Sequence, residues 1–265
     1  MSVAIEIAVQ DLAGLEIAAL AGADRVELCV DLERGGITPP VDLVAEAAER
    51  AAALVSVRDA RPQFDVHVLL RTRASTGDFL GRPEEFVHDA EEISLLAAQA
   101  AEVVEAGAAG VVLGALTPAG ELDVPALTTI RDAALGAAQS AMRGLTLTAH
   151  RAVDALPGRD AREEAVRTLL GLGFHRVLSS GGAARALDGA ADLAAMVRAG
   201  EELIDICAGA GIRPADIAEL VRTTGVADVH LSARRRPGSA VEADAPDTPT
   251  DPAIVAAAVD AAGAL

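Results

Sequence analysis

The 265-residue sequence contains no lysine, no tryptophan and no tyrosine. Each absence removes a chemistry. Without lysine there is no Schiff-base nucleophile, no phosphate-loop lysine and no lysine general base. All 22 basic residues are arginine. Four phenylalanines leave the chain 2% aromatic, which excludes stacking platforms for single-stranded nucleic acid. Positive charge is also scarce: 40 acidic residues against those 22 arginines leave a net charge of −18 and a pI of about 4.6. A phosphate backbone would be repelled, so no nucleic-acid partner is expected. The two cysteines, Cys29 and Cys207, belong to no C-x-x-C pair and suggest neither a disulfide framework nor a zinc knuckle. No uninterrupted apolar run reaches the roughly 18 residues of a membrane span. The start, Met1-Ser2-Val3-Ala4-Ile5-Glu6, lacks the basic segment of a signal peptide. A cytoplasmic protein with no membrane partner is expected.

What is present is a sizeable core, 51% hydrophobic with mean hydropathy +0.33, in a repeating pattern. Short β-branched runs predict strands at Val3–Val9, Arg25–Cys29, Asp65–Arg71, Gly110–Leu113, Leu145–His150, Arg176–Ser179, Leu203–Cys207 and Ala227–Leu231. Between them, Ala-rich stretches predict helices near 11–21, 41–54, 84–106, 123–142, 161–171, 188–199, 214–223 and 252–262. Gly22, Gly107 and Gly173 stand just past helices, where a left-handed cap belongs. Eight such units of about 30 residues predict an α/β fold, a TIM-like (β/α)8 barrel of parallel strands in one domain spanning 1–265. An open doubly wound sheet is the competitor. It would carry a glycine-rich dinucleotide loop after the first strand, and Gln10-Asp11-Leu12-Ala13-Gly14 is not one. No nucleotide cofactor is therefore expected. The segment 237–252 reads as an exposed acidic loop, ended by Asp251 capping a helix that opens with Pro252.

Within the strands the polar residues keep to one parity: Glu6; Glu27 and Cys29; His67 and Arg71; Thr146, Thr148 and His150; Asp205 and Cys207; Asp228, His230 and Ser232. Helices should cover the apolar parity, so the polar one should face a barrel lumen. Most of these groups lie near the carboxyl ends of their strands, where such barrels build their sites. His150, titrating near neutrality if unperturbed, suits a general acid, base or metal ligand. His88 and His175 are assigned to structure or surface. Arg71 suits a carboxylate, supplied either by a ligand or by Glu6 and Glu27 on adjacent strands. The small-residue loops after strands six to eight, Ser179-Ser180-Gly181-Gly182, Ala208-Gly209-Ala210-Gly211 and His230-Leu231-Ser232-Ala233-Arg234, predict an anion site at Ser180, Gly209, Gly211 and Ser232. The alternative is that these glycines only form turns.

Taken together, the ordered segments resemble the CutC family. They are Gly22-Ala23-Asp24-Arg25-Val26-Glu27-Leu28-Cys29; Gly35-Gly36-Ile37-Thr38-Pro39; Arg71-x-Arg73 with Gly77-Asp78-Phe79; Gly114-Ala115-Leu116-Thr117-x-x-Gly120-x-x-Asp123; His150-Arg151-Ala152-x-Asp154; Leu172-Gly173-Phe174-x-Arg176-Val177-Leu178-x-Ser180-Gly181; Gly209-x-Gly211; and His230-x-Ser232-Ala233. The resemblance implies a TIM-like barrel, usually oligomeric, with a role in copper homeostasis and Cys29 as Cu(I) ligand. Cys207 is a further candidate ligand, while Ala8 and Thr72 replace a cysteine and a proline of the family pattern. The residues themselves support an alternative of another class. It is an isomerase- or lyase-type enzyme for a small anionic, even phosphorylated, substrate, with Glu6, Glu27 and His150 moving protons and Arg71 holding a carboxylate. Ala-rich helix faces suit packing between subunits, so a homo-oligomer is expected.

Overall fold

In the computed structural model, residues 3–57, 59–75, 80–234 and 249–265 are described. Gly77-Asp78-Phe79 and most of the segment 237–252 lie outside them. Eight parallel strands close one barrel in sequence order: β1 (Ala4–Val9), β2 (Arg25–Leu28), β3 (Asp65–Leu69), β4 (Gly110–Leu113), β5 (Thr146–Ala149), β6 (Arg176–Ser179), β7 (Asp205–Ala208) and β8 (Asp228–Leu231). A helix follows each strand: α1 (Leu12–Leu20), α2 (Val41–Ser56), α3 (Ala90–Glu105), α4 (Val124–Ser140), α5 (Gly158–Gly171), α6 (Ala190–Ala199), α7 (Ile217–Thr224) and α8 (Pro252–Gly263). The fold is a TIM barrel. No helix among the described residues is long and apolar enough to cross a membrane.

The two strand parities separate as the alternation requires. Ile5, Ile7, Val26, Leu28, Val66, Val68, Val111, Leu113, Leu147, Val177, Ile206 and Val229 join one buried cluster with helix residues such as Leu15, Val44, Leu127 and Leu193. Facing inward, Cys29, Leu69 and Val112 form a separate apolar cluster. Gly22, Gly107 and Gly173 take φ of +88°, +117° and +79° just past their helices, the left-handed caps that end them.

Local chemistry moves several predicted boundaries. The stretch 84–106 is not one helix. A 3-10 turn, Pro83–Phe86, is followed by extended backbone, and α3 starts only after Asp89, whose Oδ1 accepts from Glu92 N at 2.9 Å. β3 ends at Leu69 rather than Arg71. Beyond it, Arg71 N donates to Thr38 Oγ1 at 2.8 Å, so a side chain replaces the strand ladder. β7 begins at Asp205, leaving Leu203 68% exposed ahead of it. Asp251 caps α8 as expected, its Oδ1 accepting from Ala253 N at 2.8 Å.

Glycines inside the barrel make room for lumen side chains. A Cβ on Gly110 of β4 would lie 2.6 Å from the His67 ring, whereas one on exposed Gly136 of α4 would meet nothing. Gly110→Ala is therefore expected to cost about 1–3 kcal/mol of stability through overpacking. Gly136→Ala, by improving helix propensity, is expected to add up to about 1 kcal/mol. Urea denaturation of both variants checks the contrast.

Candidate functional site

Charged side chains cross the lumen. Arg176 on β6 donates from Nε to Asp228 Oδ2 of β8 at 2.6 Å and from Nη1 to Glu6 Oε2 of β1 at 2.7 Å. β6 and β1 are not neighbours in the barrel, so the second contact spans its interior. Arg176 Nη1 also lies 3.4 Å from Thr148 Oγ1 and 3.4 Å from His67 Nδ1. Arg25 Nη1, on β2, reaches Asp228 Oδ1 at 3.2 Å. Glu6 Oε1 meets His230 Nδ1 at 2.8 Å. Among the described residues, Glu6 and Asp228 both have cationic or imidazole partners, and Glu27 does not. The Glu27 carboxylate is buried, and its Oε2 has no hydrogen-bond partner.

These surroundings separate the protonation states. Burial would raise Glu6, but Arg176 and His230 hold it well below the usual carboxylate range. Burial, helped by the Glu6 charge and opposed by His230, raises Glu27 to about 7. Burial and then Arg176 push His67 down to about 3, so it is neutral. Burial works against protonation of His230, but Glu27 and Glu6 prevail and raise it. The result is a buried acid that is half ionised near neutrality beside an imidazole biased toward its cation.

The other candidate residues lie elsewhere. Arg71 does not reach Glu6 or Glu27. Its ion-pair partner is Glu85 from the 3-10 turn before α3, at 3.8 Å, because Arg71 lies two residues past the end of β3. His150 follows β5 at the mouth, and burial, then Arg71 and His88, lower it to about 3. It is therefore not a base at neutrality, and it is remote in role from the Glu27 pair. His88, expected on a helix, instead precedes α3 with its side chain 4% exposed and its Nδ1 3.7 Å from Glu92 Oε2, without a hydrogen bond. His175 is structural, its Nδ1 accepting from Leu147 N at 3.0 Å.

The expected anion cradle already contains a carboxylate of the chain. Asp154 accepts from Ser179 Oγ at 2.6 Å, Ser180 N at 3.0 Å, Ser180 Oγ at 2.9 Å, Gly182 N at 3.1 Å and Arg151 Nε at 2.8 Å. Gly209 N donates to Ser179 O at 2.8 Å, and Asp216 takes Arg213 N at 3.1 Å just ahead of α7. Ser180 and Gly209 are thus engaged internally. Gly211, at φ +62°, packs on Arg185, and Ser232 is half-buried past β8. Reading the loops without their facing acids missed Asp154, although the His150-Arg151-Ala152-x-Asp154 motif contains it.

Residues 3–235 match the CutC family. The chain belongs to that family. A CutC-named family protein of Caulobacter vibrioides is 38% identical over 230 residues, 87% of this chain and 81% of that protein. The CutC chain of Streptococcus agalactiae, named for copper homeostasis, superposes with a TM-score of 0.73 at 24% identity, over 87% of this chain and 98% of that one. N-(5'-phosphoribosyl)anthranilate isomerase of Pyrococcus furiosus shares the fold, with a TM-score of 0.57 at 14% identity over 99% of this chain and all of that one, 100%.

Copper is the metal the family resemblance implies, and the residues of this CutC-family chain do not fit Cu(I). Cys29 is fully buried among Leu69, Val112 and Leu32, its Sγ 3.8 Å from Val9 O. Burial, then the Glu27 charge, pushes its thiol up, away from the thiolate a metal needs. Cys207, on β7 below that layer, is likewise raised by burial despite Arg176. The two thiols have different electrostatic neighbours. Among the described residues, the one group of three donor residues within ligand reach is Glu6, Glu27 and His230. It holds oxygen and nitrogen donors and no sulfur, the opposite of a soft Cu(I) set.

The raised Glu27 couples stability to pH. The unfolded carboxyl ionises near 4.5, and the folded one keeps its proton to about 7. Between these values the folded state binds the extra proton, so stability falls as pH rises, and the loss is complete above the higher value. A shift of this size corresponds to about 3 kcal/mol. Glu27→Gln is expected to gain on the wild type progressively across that window, by up to about 3 kcal/mol in urea unfolding. A constant offset would mean that Glu27 ionises in the ordinary carboxylate range.

Proposed function

We propose that this CutC-family chain is a barrel enzyme that moves a proton at Glu27, in an isomerase- or lyase-type reaction of a small molecule. The observation that carries this reading is the buried Glu27 carboxylate, its Oε2 without a hydrogen bond and its pKa raised to about 7, beside Glu6 and Asp228, which are both paired with Arg176. An acid–base group is most effective when its pKa lies near the working pH, and such groups contribute about 10²–10⁴-fold. His230, held by Glu6 at 2.8 Å, supports the ionised form of Glu27. Glu6 itself stays ionised under Arg176 and positions His230 rather than trading protons. The His230 side chain is 14% exposed while Glu6 is 1%, so approach from solvent runs along the β8 side. Two free, buried cysteines accord with work in the reducing cytoplasm.

Proton transfer at carbon leaves a trace without knowledge of the product. In D2O, small carboxylates and sugar phosphates bearing a hydrogen beside a carbonyl are expected to include one that takes up deuterium. Glu27→Gln should slow that exchange at least about 100-fold. Carbon-13 NMR of the glutamate carboxyls supplies a test free of substrate. One resonance should titrate near 7 and vanish in Glu27→Gln, and its absence would remove the basis of the proposal.

Copper handling is the second reading, suggested by the name of the Streptococcus agalactiae relative. Copper would then be cargo, and Cys29 would have to be uncovered to meet it. Given the protonated, sealed thiol, wild type and Cys29→Ser are expected to compete equally against a calibrated Cu(I) chelator. Stoichiometric uptake by the wild type that Cys29→Ser loses would instead favour copper.

A further inference from the structure

Above the lumen network, the mouth over β3 to β5 gathers three polar groups that the proton-transfer reading does not use. Arg71 is pinned through its backbone: its N–H donates to Thr38 Oγ1 at 2.8 Å and its carbonyl accepts from Thr38 N at 2.9 Å. The side chain is 8% exposed, and the guanidinium lies over the Phe86 ring, 5.3 Å from its centroid. Its Nη2 makes no hydrogen bond, and Glu85 Oε2, at 3.8 Å, stands beyond hydrogen-bond reach. Gly35, at φ +86°, leaves the space this head group fills, since a Cβ there would come within 3.1 Å of Nη1.

His150 shares the same aromatic floor, its ring centroid 5.2 Å from that of Phe86. A Cβ on Gly114 would lie 2.4 Å from its Cε1, so the ring seats on bare backbone. Its Nδ1 accepts from Ala152 N at 3.1 Å, which leaves the ring proton on Nε2. The imidazole is therefore a neutral hydrogen-bond donor. His88, close enough for its charge to bear on His150, has a buried Nδ1 that makes no hydrogen bond, with Glu92 Oε2 standing off at 3.7 Å.

Burying a guanidinium whose donor is left unmade is costly, and so is an orphaned imidazole nitrogen. A ligand that supplies the missing acceptor recovers that cost. We propose that Arg71, His150 and His88 form a subsite that binds the carboxylate of a small organic acid. The charge count favours a carboxylate over phosphate. Among the described residues Arg71 is the one cation over the Phe86 ring, and the Glu85 carboxylate beside it repels a dianion more than a monoanion. The Phe86 face would meet the carbon skeleton attached to it. This subsite uses none of the residues of the Glu27 pair. Binding without turnover can be measured, so each proposal can fail alone.

The test titrates the full chain with sodium acetate, inorganic phosphate and sodium chloride at matched ionic strength, following imidazole resonances by nitrogen-15 NMR. Acetate is expected to shift His150 and His88 saturably while His175 stays unmoved, and to bind more tightly than phosphate. Arg71→Met, which keeps an alkyl chain on Phe86, should weaken acetate at least tenfold. No saturable shift in the wild type, an equal shift at His175, or unchanged affinity in Arg71→Met would overturn the subsite. Tighter binding of phosphate would overturn its assignment to a carboxylate. Should Arg71→Met not fold, the wild-type titration decides the matter alone.

Discussion

Arg176 spans the barrel from β6 to carboxylates on β1 and β8, and its charge sets the protonation of the groups around it. It keeps Glu6 ionised, adds to the burial that holds His67 neutral, and shares Asp228 with Arg25. A buried ion pair of this kind contributes little net stability over an apolar filling, but losing one partner strands the other charge at a cost of about 3–5 kcal/mol. Glu27 is conspicuous because it lies beside this network without joining it. Its elevated pKa follows from burial next to an acid whose own cation is already taken.

The interior is layered. The ionic centre lies below a small apolar layer of Cys29, Leu69 and Val112, and the Arg71–His150 cluster lies over Phe86 at the mouth. That layer explains why Cys29 behaves as a core hydrophobe rather than a reactive thiol. It also separates the β2–β4 side of the lumen from the mouth, while on the β8 side the His230 side chain keeps 14% exposure. Elsewhere the barrel satisfies its anion-binding geometry internally. The loop after β6 receives the Asp154 carboxylate, while Asp216, just ahead of α7, is taken by Arg213.

Alternation within short strands determined the barrel and the inward faces of Glu6, Glu27, His67, Cys207, Asp228 and His230, because side-chain parity is a property of the extended backbone alone. Helix ends at Gly22, Gly107, Gly173 and Asp251 were legible for the same reason, being local steric and capping requirements. Asp89 shows where local reading went astray: a cap inside an apparently continuous helical stretch went unread. Which groups meet was not legible. Arg176 opens its strand on the lumen parity, and the need of two buried acids for a cation could have singled it out. Yet its contact with Glu6 bridges residues 170 apart in sequence. Arg71 was placed against Glu6 and Glu27 because their strands are adjacent. Its height above them depends on strand stagger, which puts Glu85 and Phe86 within its reach instead. The sequence by itself thus determined the architecture and the inventory of polar side chains aimed inward. Only the tertiary structure decided which of them are paired and which are left alone, because ion pairing and desolvation depend on distances across the barrel that no local pattern encodes.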